Sequence, residues 1–588
     1  MITLSPTLAE EADSSPAPTP QRRRRWVVAA GVPTVVTAMH SAYYGQWIVD
    51  DAGLSFAYAR SLTSGAGPVL QPGADPVEGY SNPAWVAILA VGRWLRLFDH
   101  GAWFGTPDII AFPKLVGLLC CFGIFAAMFA IAAAVTRRPV AVTIVAGLLT
   151  AMVPSFVIWT SSGLENGLFA LAVVALAAVL VRAAVAGRLL TMGTAVGVGA
   201  LAALAALTRP DGIIYVAALP LAAVLTVNRS TAREALRASG IAVAAFAAPV
   251  GVYLLWRLFV FDDYLPNTAR AKQQAWPSLG DLNRPAVLVG YVGWLTVLLG
   301  VAVITVALIH RSPTRTAVAM VLVPLGLALA SFALLQPDWM MQFRFATPVW
   351  PLAAIASSVA AVAVIPGAST RTKALVALLV TVAAASSLSG LWASEKAFRV
   401  EPTVGVCNVA QNAGYLFNGY ADIIGVRDGS LLAVDGGGTS LVSRLRFVDL
   451  SGLGDRRIAR FWQDHDMPGL RDHVFGEVRP TFIKIFDGWA ERDQLGLARD
   501  PRMSRDYVLI FAGAPGGGDW VRRDAVTDRG TFATARKWGR DSWALLNTRY
   551  PRNSPPVWSC GDVLRPTPFR DRVPAPSPLT RPESRGRT

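Results

Sequence analysis

The chain has 588 residues, 53% of them hydrophobic and only 16% charged, with a positive mean hydropathy of +0.43. A water-soluble domain carries about a quarter of its residues as Asp, Glu, Lys and Arg, so the composition excludes an ordinary soluble protein. The formal net charge of +15 would suit a nucleic-acid binder, but the arginines stand beside apolar stretches, where they orient membrane helices, and no nucleic-acid partner is expected.

Residues 1–21 are rich in Pro, Ser, Thr and Ala and open a disordered tail that runs to Arg25. Arg22 to Arg25 abut the apolar run Trp26 to Met39, followed by Tyr43, Tyr44 and Trp47 and by no small-residue cleavage site. This pattern predicts an uncleaved first helix with an aromatic belt and a cytoplasmic N-terminus. The basic junctions Arg137/Arg138, Arg182/Arg188, Arg229/Arg233/Arg237, Arg311/Arg315 and Arg371/Lys373 then all face the cytoplasm on one condition. Residues 82–98, which carry Arg93 and Arg96 among Trp85, Trp94 and Trp103, must lie on the outer surface as an amphipathic helix.

About eleven spans follow, at 26–46, 112–135, 139–159, 166–186, 190–208, 212–228, 239–260, 286–309, 316–336, 345–366 and 373–393. Residues 26–393 thus form an α-helical polytopic domain in the plasma membrane, with an outer loop bearing surface helices over 47–111. Asp50, Asp51, Glu78, Glu165, Asp211, Asp262, Asp263 and Asp338 gather at the outer junctions. The orientation rule does not require that, because acids contribute little to it.

From Ser394 the hydropathy falls, and residues 394–565 are long enough for an α/β domain with its own core, placed outside the cytoplasm by parity. Leu431–Val434, Phe482–Ile485 and Tyr507–Phe511 read as buried strands. Residues 566–588 are a Pro-, Arg- and Ser-rich disordered tail. Cys407 and Cys560 bracket the domain and are disulfide candidates, two free thiols being the alternative. Cys120 and Cys121 read as small apolar residues of a span.

The strongest chemical pattern is Trp47-Ile48-Val49-Asp50-Asp51 followed by Tyr58-Ala59-Arg60. Adjacent carboxylates at the end of a membrane helix suit proton abstraction from an acceptor hydroxyl, with Asp50 the first choice and Asp51 the second. A solvated pair at a helix end is the alternative. Glu78 and Tyr80 lie in a Gly/Pro-rich loop that ends in Ser81-Asn82-Pro83, which reads as a polar cap for the surface helix. Glu165 starts a helix and would favour its dipole, and Arg209 with Asp211 reads as an ion pair. Asn267, Arg270 and Lys272 lie in the longest polar loop between spans. There and at Arg344, cations on the outer side run against the orientation rule and suit a phosphate. Asp435-Gly436-Gly437-Gly438 and Gly516-Gly517-Gly518 lack the Lys-Ser/Thr ending of a nucleotide loop and read as ordinary turns. The five histidines show no zinc spacing, and no cofactor or metal is indicated.

Taken in order, Trp47–Asp51 with Tyr58–Arg60, Val77–Trp85, Ser162–Asn166, Thr208–Gly212, Leu265–Lys272, Phe343–Phe345 with Pro348, and Val448–Ala459 resemble the GT-C glycosyltransferases. More narrowly, they are similar to the actinobacterial arabinofuranosyltransferase B branch and its relatives. The resemblance implies a catalytic membrane domain, and an outer C-terminal domain that contributes to acceptor binding. It implies a polyprenyl-phosphate sugar donor held in membrane lipid, an envelope glycan acceptor, and a catalytic aspartate within the Asp50/Asp51 pair. Arabinofuranose is the implied sugar. Tryptophans 462, 489, 520, 538 and 543 belong either to sugar stacking or to the core of the C-terminal domain. The competing classes are a transporter or lipid flippase, which should show repeats and mid-membrane charges, and a non-enzymatic scaffold that binds envelope polymers.

Overall fold

The computed structural model describes residues 20–549 apart from 273, 275–277, 310–312, 487–488, 490–494 and 514–516, together with 563–564. Helix α1 (Pro20–Ala42) leads into the long first loop, which was expected on the outer side and carries α2 (Asp50–Thr63), α3 (Pro83–Trp94) and a two-residue hairpin, β1 (Ala102–Trp103) with β2 (Thr106–Pro107). The helical domain continues with α4 (Asp108–Val135), α5 (Pro139–Ala151), α6 (Pro154–Thr160), α7 (Asn166–Val185), α8 (Met192–Thr208), α9 (Ala218–Val224) and α10 (Ala232–Phe261). Short α11 (Asn267–Lys272) precedes α12 (Pro285–Val292), α13 (Trp294–Ile309), α14 (Pro313–Leu334), α15 (Val349–Val364) and α16 (Thr370–Val400).

Six helices among the described residues are long and apolar enough to cross a membrane, or up to eight if each of two bent pairs counts as one span. The bent pairs are α5–α6, turned by 82°, and the segment ending in α12 with α13, turned by 108°. Their breaks have local causes: Pro154 starts α6, and Gly293 adopts φ 103° between α12 and α13. The other three expected spans fall on α1 and on the shorter apolar helices Met192–Thr208 and Pro210–Val224. Those two shorter helices fall below the roughly twenty residues a perpendicular crossing needs.

Helix α3 has 12 residues, too few to span, and buries Trp85, Val86 and Leu89 while Val91 and Trp94 face outward. Helix α2 differs from the expected surface helix. Ala52 to Ala59 are all buried, because α2 lies between α3 and the C-terminal domain.

In that domain, α17 (Val406–Val409), α18 (Leu416–Ile424), α19 (Gly437–Val442) and α20 (Arg456–Gln463) surround a five-stranded sheet. Its strands are β3 (Ser430–Ala433), β4 (Arg446–Asp449), β5 (Phe482–Ile485), β6 (Tyr507–Phe511) and β7 (Gly518–Arg522), in the order β4-β3-β5-β7-β6. The pairs β3–β4 and β3–β5 are parallel, whereas β5–β7 and β6–β7 are antiparallel. Parallel strands are buried on both faces and read as continuous apolar runs, which made β3 and β5 visible in sequence. The loops that leave the carboxyl ends of β3 and β4, where open α/β sheets place ligands, contact the outer loop of the membrane domain.

Trp462 is buried and donates to the Leu450 carbonyl, Trp538 donates to the Leu416 carbonyl, and Trp489 and Trp520 pack on the sheet core. Trp543 is exposed. Cys407 is disulfide-bonded, Cys120 and Cys121 are free and buried, and Cys560 lies outside the described residues.

Candidate active site

The backbone entering α2 is pinned from two sides. Val49 N–H donates to the Ser162 carbonyl and Asp50 N–H to the Val404 carbonyl, each at 3.0 Å. Asp50 and Asp51 are therefore fixed as the first two residues of α2, yet their surroundings differ. The Asp50 carboxylate is 4% exposed and accepts Gly437 N–H at 3.1 Å and Gly438 N–H at 2.7 Å. Burial raises its pKa well above the ordinary value, nearby Asp435 adds to the rise, and the two amide bonds oppose it.

Asp51 keeps 23% of its side chain exposed, with the Lys272 ammonium 3.9 Å from Oδ2. Half-buried Asp435 lies two residues beyond the end of β3. Burial raises its pKa, Lys484 opposes the rise, and Asp51 and Asp449 add to it. Asp449 ends β4 and is pushed up to about 6 by burial, although Ser451 and Gly454 N–H donate to it. The glycine run read as an ordinary turn is thus a carboxylate-holding loop. Gly516 of the second run lies outside the described residues, and Gly518 opens β7.

Around this centre stands a bracing shell. Tyr58 donates to the Val77 carbonyl at 2.6 Å and accepts Gly79 N–H at 3.0 Å, and its ring meets Tyr80 edge-on at 4.9 Å. Arg60 grips Asp99 through Nε and Nη2, both at 2.7 Å, and donates to the Leu441 carbonyl. Glu78 is buried against Arg257, with Nε 2.5 Å from Oε2, and also accepts the Tyr253 hydroxyl. Burial raises the Glu78 pKa against the pull of Arg257. Asn267 N–H donates to the Glu78 carbonyl and its side chain to the carbonyls of Gly452 and Leu453, tying α11 to the β4 loop.

A second network lies at the outer-loop ends of α7, α8 and α14. Arg209 bonds Glu165 at 3.1 Å and Asp211 at 2.9 Å, and its guanidinium stacks over Phe345 at 4.7 Å. Arg344 lies 5.0 Å over the same ring and pairs with Asp338 at 2.7 Å. Glu165 also accepts Asn82 Nδ2 at 2.8 Å, and Asn82 bonds Ser55 of α2. Asn82 makes no side-chain cap on α3, so the capping expectation gives way to this link. Glu165 likewise serves an ion pair rather than a bare helix dipole.

Of the three cations expected to meet a phosphate, two are engaged in close pairs. Arg270 forks onto Asp263 at 2.8 and 3.1 Å, and Arg344 holds Asp338. Lys272 is more open, with 54% of its side chain exposed. Among the described residues no three His, Cys, Asp or Glu side chains are grouped to hold a metal ion. Sequence reasoning missed Arg257 and Tyr253, which share a helix face four residues apart, and Asp435. A charge inside the apolar run of α10 was the available clue.

No family model and no curated protein matches the sequence. Among solved structures the chain is similar to ArnT from Cupriavidus metallidurans bound to undecaprenyl phosphate. The TM-score is 0.51 at 14% identity, over 86% of this chain and 99% of that one. Apo ArnT gives a TM-score of 0.50 at 14% identity, over 86% and 100%. A weaker likeness, with a TM-score of 0.40 at 16% identity, extends to the arabinosyltransferase EmbB from Mycobacterium smegmatis over 92% of this chain and 43% of that one, and is too weak to build on. At these identities what is shared with ArnT is the fold. That shared fold, a helical membrane domain followed by a C-terminal domain, is the architecture the ordered motifs led us to expect.

Proposed function

We propose that this protein is a membrane glycosyltransferase that moves a sugar, arabinofuranose in our reading, from a polyprenyl-phosphate donor to a hydroxyl of an envelope glycan. The reaction takes place at the non-cytoplasmic face of the plasma membrane, with the N-terminus inside. The reading is carried by one observation: partly exposed Asp51 on the first turn of a buried helix, with the Lys272 ammonium 3.9 Å away. The order of preference within the aspartate pair reverses, because both oxygens of Asp50 are already held by backbone amides.

In this scheme the acceptor hydroxyl loses its proton to Asp51 as its oxygen bonds to the anomeric carbon. The bond from that carbon to the phosphate oxygen breaks, and the electron pair leaves with the polyprenyl phosphate. Lys272 meets the departing charge at the membrane surface. If configuration is retained, Asp51 instead stabilises the oxocarbenium-like centre. Arg60, Tyr58, Tyr80, Glu78 and Asn267 hold the frame, and Arg209 with Glu165 and Asp211 ties it to the helix bundle.

The test is transfer by the purified protein in detergent, from a radiolabelled polyprenyl-phosphate arabinose to an arabinan oligosaccharide. Asp51→Asn should melt like the wild type and transfer nothing. Use of a mannosyl donor only would keep the class and overturn the sugar, and full activity in Asp51→Asn would sink the site.

A further inference from the structure

The contact between the C-terminal domain and α2 is closer than domain packing requires. The Asp50 carboxylate is buried and bonded to two successive amides of the loop after β3, at 3.1 and 2.7 Å. A Cβ on Gly437 would lie 1.8 Å from the Asp50 carbonyl oxygen, and one on Gly53 would lie 2.6 Å from the Gly437 carbonyl carbon. Glycine is thus demanded on both sides of the same contact, which lets the two backbones approach without a side chain between them.

The neighbouring anchors have the same target. Asp50 N–H is held by Val404 and Val49 N–H by Ser162, so the first turn of α2 is fixed by both domains. Burying a carboxylate costs far more than burying an apolar side chain. Other contacts between the domains run from side-chain donors to backbone carbonyls, as from Arg60 to Leu441, Asn267 to Gly452 and Arg456 to Phe261. The charged, glycine-dependent contact occurs next to Asp51.

We propose that the Gly437–Gly438 amide pair is a positioning element of the catalytic site. By gripping Asp50 it sets the first turn of α2 and hence the place of the Asp51 carboxylate. The C-terminal domain then takes part in turnover itself, beyond any capture of acceptor. This inference rests on the proposed function.

The decisive measurement separates turnover from acceptor binding by using two acceptors, water and glycan. Purified full-length protein in detergent is given radiolabelled polyprenyl-phosphate arabinose alone, and donor hydrolysis is followed. The same protein is then given an arabinan oligosaccharide, and kcat and acceptor KM are measured for transfer. Gly437→Ala and the near-isosteric Asp50→Asn should each lower kcat for hydrolysis and for transfer about a hundredfold, as displacement of a reacting group by roughly an ångström does. Acceptor KM should stay within about twofold, because on this view the clamp does not touch the glycan. Arg456→Ala, which weakens docking away from α2, should keep both rates near wild type. Thermal melting identifies any variant that has failed to fold, and Asp50→Asn then carries the test if Gly437→Ala does not fold.

A raised acceptor KM with unchanged hydrolysis would overturn the proposal in favour of acceptor capture alone. Equal loss of kcat in Arg456→Ala would overturn it in favour of general docking. A wild-type protein inert toward every polyprenyl-phosphate sugar would overturn the proposed function and this inference with it.

Discussion

Arg209→Met tests whether the buried charge network holds the outer-loop ends of the helices together. Arg209 is 6% exposed, with Glu165 and Asp211 as direct partners and the Phe345 ring against its guanidinium face. Methionine keeps much of the stem volume and removes the charge, leaving two buried carboxylates without their shared cation. Breaking a buried pair from one side costs about 3–5 kcal/mol, mostly as the penalty on the stranded acid. The apparent melting temperature of the detergent-solubilised protein, followed by tryptophan fluorescence, should therefore drop by several degrees. Adding Glu165→Gln and Asp211→Asn to the same chain removes the stranded charges and should recover at least about half of the loss, since replacing a whole buried ion pair is often nearly neutral. Arg209→Lys should fall near the methionine variant, because an ammonium cannot reproduce the two-sided fork or the stacking on Phe345. Wild-type melting in Arg209→Met, or no recovery in the triple variant, would refute the reasoning.

Lys272→Ala should lower kcat for transfer about tenfold, as loss of a cation that meets the departing charge requires, the effect shrinking at high salt because the ammonium is exposed; an unchanged kcat would remove Lys272 from the phosphate site. Asp449 has a folded pKa of about 6 against an ordinary value of 3.8, so the folded state holds its proton more tightly than the unfolded one. Its contribution therefore favours folding at low pH and is lost as pH rises from about 4 to 6, by roughly 3 kcal/mol. Asp449→Asn should flatten the melting-temperature profile across that window, leaving the slope due to Asp50, Asp435 and Glu78, whose shifts have the same sign. Arg257→Met strands Glu78 and should expose the outer loop to limited proteolysis near residues 65–80, an unchanged digest refuting that brace.

The elements that were legible share a physical reason. Long apolar runs, arginine junctions and the strands β3, β5 and β6 announce themselves because the bilayer and the buried sheet each impose a continuous composition. Strand β4 did not, because it starts with exposed Arg446 and half-buried Phe447 and ends with Asp449 in polar contacts. The pairing of Arg209 with Asp211 was readable since the two are neighbours in the chain. The pairing of Asp50 with Gly437 and Gly438 was not, because more than three hundred residues separate them and a glycine run alone reads as a turn. Arg257 and Tyr253 were hidden inside an apolar window whose average concealed them. Local pattern thus located the carboxylate helix, and only the fold showed which of its two acids is open.

Two adjacent carboxylates at one helix end would be redundant if they shared a role, and the surroundings divide them. Asp50 takes up two amides and loses its access to solvent. Asp51 gains no backbone donor among the described contacts and keeps part of its side chain exposed, with Lys272 3.9 Å away, which in the proposed scheme leaves its oxygens open to a substrate. A carboxylate intended as a base must be held in place without being neutralised, and hydrogen bonds made to its own oxygens would weaken it. Placing the anchor on the preceding residue meets both needs, because the first turn is rigid and the anchoring bonds go to the other acid. The same logic explains why the anchor comes from the second domain. The loop after β3 also carries Asp435, whose carboxyl raises the pKa of Asp50 and is itself raised by Asp51. Closing the domain onto α2 therefore sets the position of Asp51 and the field around it in one step.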